Sequence, residues 1–228
     1  MSDPAFTDLL WESTKAVRAE IDSLEFLDRL GDGTLPLEDF AFYLEQDALY
    51  LTGYAKALAL LASRSPNAAT AGFWASSAHA AAVVEGDLHC GILATIEPSG
   101  EPKEHSPTCL GYVSFLIATA ATAPYPVAAS ALLPCFWLYA DVGARLARET
   151  ARTPVQGPAH PYTRWVAMYD REEFQRSVRT ARALVDAAAE DASVDERAEM
   201  ERAFGVASRY ELLFWDSALN RRPWPVLD

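Results

Sequence analysis

Between Ser106 and Ala140 the chain carries no Asp, Glu, Lys or Arg. An apolar helix of about 20 residues is long enough to cross a bilayer, so a run of this kind lies either in a membrane or inside a folded protein. Pro124, Tyr125 and Pro126 interrupt the run, and serines and threonines are scattered through it. Because each half falls short of a full span, we expect two helices buried in a bundle and no membrane association.

The rest of the chain repeats its apolar residues at helical spacing. Gly31-Asp32-Gly33 predicts a turn. No segment alternates as a strand would, no internal repeat is found, and the connecting segments are short. The sequence therefore predicts an all-α fold, a single helical bundle domain covering residues 1–228. The predicted helices cover residues 6–24, 36–62, 67–93, 107–122, 127–149, 162–169, 170–189 and 193–218.

Three of these helices begin at side chains that can cap them. Ser106 precedes a proline, which suits an N-cap followed by the first helical turn. Ser193 and Glu196 have the spacing of a capping box, and Asp170 with Glu173 resembles one.

Charge and cysteine content limit the classes of partner and the compartment. The formal net charge of −13 argues against nucleic acid and anionic membrane surfaces as partners. Cys90, Cys109 and Cys135 are odd in number and widely spaced, which fits reduced thiols in the cytoplasm better than a disulfide framework. The N-terminal residues lack the apolar segment of a secretory signal.

The helix predicted over residues 127–149 has an unusual centre. Pro134 removes one backbone hydrogen bond and crowds the carbonyl of Ser130. Cys135 follows at once, and Tyr139 lies one turn further on the same face. Most buried cysteines are inert apolar residues, so this pattern alone leaves open whether Cys135 is a nucleophile or part of the core.

Two carboxylic acids lie among apolar residues on other helices. Asp47 shares a helix face with Tyr50 and Tyr54, which suits either a flat heterocyclic ligand or a partly exposed acid bonded to a tyrosine. Glu211 neighbours Phe214 and Trp215 at helical spacing. If Glu211 is buried, its pKa will rise and it can transfer protons near pH 7; if not, it is a surface residue.

The histidines do not predict a metal centre. Glu85 and His89 have a possible metal-ligand spacing on one helix. His79, His105 and His160 do not supply the second Glu-x-x-His pair that a helical di-iron site requires.

The chain resembles the TenA/thiaminase II family over nearly its whole length, and Cys135 places it in the cysteine-containing class. The segments that carry the resemblance are LGDGTLPLEDFAFYLEQDALYLTGYAKAL (30–58), LLPCFWLYADVG (132–143), HPYTRWVAMYDREEF (160–174) and SRYELLFWDSA (208–218). It implies a haem oxygenase-like fold without haem, usually as a homotetramer. It further implies hydrolysis of an aminomethylpyrimidine or thiamin to 4-amino-5-hydroxymethyl-2-methylpyrimidine, a step of thiamin salvage that needs no metal or organic cofactor.

The resemblance also implies a role for individual residues. Asp47 matches the acid that binds the pyrimidine, Cys135 the nucleophile, and Glu211 the acid that transfers a proton. The remaining matches are aromatic positions of the substrate pocket: Tyr50, Tyr112, Tyr139, Tyr169 and, stacking on the ring, Phe214. Where the family often has His-Pro-Phe before the glycine turn, this chain has Leu-Glu-Phe at residues 24–26, which leaves the substrate range open.

Two other functions compete with this one. A helical oxidase on the same fold would bind iron, manganese or a redox ligand. A pyrimidine- or thiamin-binding protein without activity would bind tightly and release no product.

Overall fold

The computed structural model describes residues 4–85, 104–152 and 162–225. Within these ranges the secondary structure is helical and contains no strand, so the all-α prediction is confirmed. One π-helical segment, Ala80–Glu85, accompanies ten α-helices. The α-helices are α1 Phe6–Ser13, α2 Lys15–Asp22, α3 Glu25–Asp32, α4 Leu37–Ser63, α5 Ala68–His79, α6 Pro107–Thr122, α7 Tyr125–Arg152, α8 Thr163–Tyr169, α9 Glu172–Glu190 and α10 Val194–Asp216.

The bundle is organised around two long helices, α4 and α7. Helix α7 packs against α8, α9 and α10, while α4 packs against α5 and α6. The centre of α7 is apolar on every side: Ala131, Leu132 and Leu133 have no exposed surface. Over Tyr125–Glu149 helix α7 is also long and apolar enough to cross a membrane, but 78% of its apolar stretch is buried inside the protein.

Two of the three predicted helix starts are confirmed. The hydroxyl of Ser106 accepts a hydrogen bond from the backbone N–H of Cys109. Ser193 and Glu196 form a reciprocal capping box, with distances of 3.2 and 2.9 Å. The third start is wrong, because α9 begins at Glu172 and has no side-chain cap.

Helix α3 covers residues for which the sequence predicts no helix, and it includes the first two residues of the turn predicted at Gly31-Asp32-Gly33. It buries Phe26, Leu27 and Leu30 and ends at Gly33, whose φ of 80° is left-handed. Gly31 belongs to the helix: a Cβ atom there would lie 2.8 Å from Cδ2 of Leu146 on α7. This glycine therefore permits close helix packing, which local sequence does not reveal.

Two predicted helices are divided. The first breaks at Thr14, whose backbone departs from helical geometry between α1 and α2. The predicted helix over residues 67–93 is α-helical only to His79 and continues as the π-helical segment; its residues beyond 85 lie outside the described ranges. Wider π-helical turns are often found at functional sites, and this one borders the cavity described next.

Candidate active site

A cavity of about 230 Å³ lies between α4, α5, the π-helical segment, α7, α8 and α9. It is somewhat smaller than the roughly 300–1,000 Å³ of typical drug-sized ligand pockets, so it suits a small ligand. Its inner part is lined by Asp47, Tyr50, Tyr54, Cys135, Tyr139 and Tyr169. All of these side chains are buried except Cys135, which is half-buried.

Asp47 contributes a buried carboxylate to the wall of the cavity. It comes from α4 and is 1% exposed. The hydroxyl of Tyr43 donates a long hydrogen bond of 3.5 Å to Oδ2 of Asp47 and lies 3.2 Å from the hydroxyl of Tyr139. A carboxylate between phenol rings can accept hydrogen bonds from the amino group of a flat heterocycle lying in the cavity.

Two stacked tyrosines from α4 form the adjacent wall. The ring centroids of Tyr50 and Tyr54 are 5.5 Å apart. The hydroxyl of Tyr54 donates a 2.8 Å hydrogen bond to the carbonyl of Leu132 on α7. The buried hydroxyl of Tyr50 has no hydrogen-bond partner within the part of the chain that the structure describes. Because an unpartnered buried hydroxyl is costly, Tyr50 is ready to bind a ligand.

Cys135 lies on α7 beside these tyrosines. Burial first, and then the negative charge that Cys135 can carry, raises the pKa of both Tyr50 and Tyr54 well above the usual value. The phenols are therefore neutral hydrogen-bonding groups next to the thiol. Cys109 is different: it has no exposed surface, its thiol donates to the carbonyl of Gln46, and burial raises its pKa to about 12.

Glu211 is buried on α10, so its interpretation as a surface residue is wrong. It is 1% exposed, and the hydroxyl of Tyr112 donates a 2.6 Å hydrogen bond to its Oε1. Burial raises the pKa of Glu211 to about 8, although the hydrogen bond from Tyr112 acts in the opposite direction. The carboxyl group is therefore mostly protonated at pH 7, which confirms the expected effect of burial.

Three of the eight predicted site residues do not line the cavity. Tyr112, Glu211 and Phe214 form a buried layer next to Tyr50, whose ring centroid is 5.0 Å from that of Tyr112 and 5.4 Å from that of Phe214. Tyr50 thus connects this layer to the cavity. The other five predicted residues are brought together on the cavity wall.

The sequence did not identify every residue of the cavity wall. Tyr54 could have been included, because it continues the helix face of Asp47 and Tyr50. The others come from α5, α7 and α9, and only the packing of these helices brings them to one cavity. The additional lining residues include Tyr54, Phe73, Ser76, Ser77, Phe136, Glu173, Phe174 and Ser177.

Possible metal ligands do not cluster among the residues that the structure describes. No group of three or more His, Cys, Asp or Glu side chains there is placed to hold a metal ion. The side chain of Glu85 and all of His89 and His160 lie outside the described part, so the structure does not test the spacing of Glu85 and His89.

Known proteins similar in sequence span nearly the whole chain. Thiamine biosynthesis multifunctional protein ThiED of Corynebacterium glutamicum is 39% identical over 97% of this chain, which spans only 28% of that protein. An aminopyrimidine aminohydrolase of Halalkalibacterium halodurans is 30% identical, with 96% of this chain and 98% of that protein covered. The corresponding protein of Bacillus subtilis is 32% identical, with 87% and 83% covered.

Solved structures share the arrangement of helices. A TenA homologue protein from P. horikoshii OT3 matches with a TM-score of 0.84 and 27% identity, covering 95% of this chain and 99% of that one. Haem oxygenase from Leptospira interrogans matches with a TM-score of 0.64 and 15% identity, covering 94% and 100%, which shows the haem oxygenase-like fold alone. The model of the TENA/THI-4/PQQC family matches residues 15–221. The chain therefore belongs to the TENA/THI-4/PQQC family.

Proposed function

We propose that this protein is an aminopyrimidine aminohydrolase of the thiaminase II type. It releases 4-amino-5-hydroxymethyl-2-methylpyrimidine from the corresponding aminomethylpyrimidine or from thiamin, with Cys135 as nucleophile. The observation that carries the proposal is the meeting of Asp47 and Cys135 in one small cavity walled by tyrosines. Relatives that this chain covers almost completely carry the name of this activity.

The recognition step uses the inner part of the cavity. The Asp47 carboxylate accepts hydrogen bonds from the amino edge of the pyrimidine, and the rings of Tyr139 and Tyr169 hold its flat faces. The free hydroxyl of Tyr50 bonds the substrate and satisfies its own hydrogen-bonding capacity. This arrangement holds the pyrimidine ring beside the thiol of Cys135.

The chemical step is covalent. The thiolate of Cys135 forms a bond to ring carbon C6, and the displaced electron pair expels the leaving group from the methylene at C5. Water then adds to that methylene, and the C6–S bond breaks as the aromatic ring is restored. Two easier steps replace one difficult displacement, and the overall reaction consumes one water.

Glu211 supplies the proton that the departing amine needs. Its pKa of about 8 keeps it protonated at neutral pH, as a general acid requires. Tyr112 holds the carboxyl group of Glu211, and Tyr50 lies between this layer and the cavity. The Tyr50 hydroxyl, which has no other partner among the described residues, accepts the proton of Glu211 and donates its own proton to the departing amine. Glu211 then recovers a proton from the attacking water.

We further propose a cytoplasmic homotetramer that acts on small molecules and uses neither nucleic acid nor membranes. The net charge of −13 and the absence of a disulfide at the two described cysteines, Cys109 and Cys135, support this setting. Sedimentation of the purified protein tests the tetramer, and a monomer would contradict it.

Incubation with the aminomethylpyrimidine and with thiamin tests the activity itself. Chromatography should detect the hydroxymethylpyrimidine, with one ammonia released for each aminomethylpyrimidine consumed. Tight binding of both compounds without product would instead favour a binding protein. Stoichiometric iron or manganese, with loss of activity on chelation, would favour the oxidase.

A further inference from the structure

The cavity changes character from its inner to its outer part. Toward solvent the aromatic wall gives way to small hydroxyl-bearing side chains and one carboxylate. Ser76 and Glu173 are exposed, and Ser77 and Ser177 are half-buried. Phe174 is half-buried beside them and meets the ring of Tyr169 edge-on, with 5.3 Å between centroids. One carboxylate and an aromatic ring therefore border the opening that leads to Cys135.

Glu173 is available for a ligand. Its sequence position suggested a capping role for α9, but that helix has no side-chain cap. Among the described residues its carboxylate forms no hydrogen bond or ion pair, although its backbone carbonyl accepts from Ser177. The adjacent Glu172 differs, since its carboxylate pairs with Arg179 and does not line the cavity.

We propose that this outer part is a subsite for a bulky cationic substituent of the substrate, a thiazolium ring that departs as the neutral thiazole, with Glu173 as its specificity determinant. The inference rests on the proposed function and concerns only which leaving group is accepted. When the aminopyrimidine lies against Asp47, a large group on its methylene extends past Cys135 toward the opening. A carboxylate there attracts the fixed positive charge, and the aromatic rings of Phe73 and Phe174, which can also attract a cation, line the same cavity.

The two substrates differ in the size of the group that the methylene at C5 carries. An aminomethyl group is short and stays near Cys135, whereas a thiazolium ring reaches the outer part. Removal of the Glu173 charge should therefore affect thiamin and leave the aminomethylpyrimidine alone. Because Glu173 is exposed, its contribution is modest and depends on salt.

The test compares Glu173→Gln and Glu173→Lys with Glu172→Gln, which removes the same charge one residue away. Thiamin is measured as a competitor of aminomethylpyrimidine hydrolysis, so that its Ki is obtained whether or not it is cleaved. The Ki should rise about fivefold in Glu173→Gln and further in Glu173→Lys. The rise should shrink as salt is added, while the KM of the aminomethylpyrimidine stays unchanged.

Three results would overturn the subsite. The thiamin Ki of Glu173→Gln could move no more than that of Glu172→Gln, the KM of the aminomethylpyrimidine could rise in parallel, or thiamin could fail to compete in the unsubstituted protein. None of these three results would contradict hydrolysis of the aminomethylpyrimidine, so the proposed function would stand without the subsite. If the unsubstituted protein hydrolyses neither compound, the proposed function falls, and the subsite falls with it.

Discussion

The hydroxyl of Tyr112 donates a 2.6 Å hydrogen bond to Oε1 of Glu211, and both side chains are 1% exposed. These residues come from α6 and α10, and they meet behind the wall of the cavity. Burial raises the pKa of Glu211 to about 8, and the bond from Tyr112 keeps that rise smaller than burial alone would make it. The pair therefore sets the pH range over which the acid holds its proton.

Tyr112→Phe should shift the alkaline limb of the pH–rate profile. A general acid works while protonated, so the rate on the aminomethylpyrimidine should fall as pH rises through the pKa of Glu211. Loss of the hydrogen bond that stabilises the carboxylate raises that pKa further, which moves the limb upward by about one pH unit. Tyr210→Phe is the matched control, since Tyr210 stacks on Tyr112. An unmoved limb in Tyr112→Phe would contradict the assignment.

Glu211→Gln should separate chemistry from binding. The amide keeps the shape of the side chain but has no transferable proton, so turnover of the aminomethylpyrimidine should fall about 10²–10⁴-fold. Thiamin should suffer less, because its thiazole departs neutral without protonation. Calorimetry should find nearly normal binding of the hydroxymethylpyrimidine. Glu201→Gln, an exposed change on the same helix, serves as the control; equal losses on both substrates would refute the proton-transfer role.

The same substitution should change how stability depends on pH. The folded protein keeps the Glu211 proton up to about pH 8, whereas the unfolded chain releases it near the ordinary value of 4.5. The free energy of unfolding of the unsubstituted protein should therefore fall between these values, by up to about 1.4 kcal/mol per pH unit from this group. Glu211→Gln lacks this contribution. Denaturant unfolding from pH 5 to 8.5 measures the difference, and parallel curves would mean that Glu211 is ionised in the folded state.

Asp47→Asn should weaken recognition of the pyrimidine. The change replaces a charged acceptor by an amide, whose NH₂ can face the amino group of the ligand. The lost charge-assisted hydrogen bond is worth about 1.5–3 kcal/mol, so the affinity for the hydroxymethylpyrimidine should fall about 10- to 100-fold. Glu45→Gln on the same helix controls for charge, since Glu45 does not line the cavity. Unchanged affinity in Asp47→Asn would place the pyrimidine elsewhere.

Local sequence predicted the structural features that depend on contacts between residues close together in the chain. The capping box of Ser193 and Glu196 is a contact between neighbours, so its pattern was sufficient. Helix α3 was missed because it is stabilised by burial of Phe26 and Leu27 in the core, and because Gly31 looked like a turn residue. Gly31 is needed because Leu146, more than one hundred positions away in the sequence, packs closely against it.

In the candidate site, too, some residues could be predicted from local spacing, whereas the position of others depends on how the helices pack. Asp47 and Tyr50 share one helix face, and Cys135 and Tyr139 share another, so each pair could be predicted from spacing. Which faces meet depends on how α4 and α7 pack, and family resemblance supplied that information. Glu173 had no such signal: its place at the cavity opening follows from the packing of α9 against α7.

The rate of hydroxymethylpyrimidine release by Cys135→Ser tests the central claim most directly. A hydroxyl is a far weaker nucleophile than a thiolate at neutral pH, so turnover should fall about 10³-fold or more, with folding and product affinity unchanged. Cys109→Ser, which alters the buried thiol that does not line the cavity, should keep the normal rate. Near-normal release by Cys135→Ser would contradict covalent catalysis by this residue.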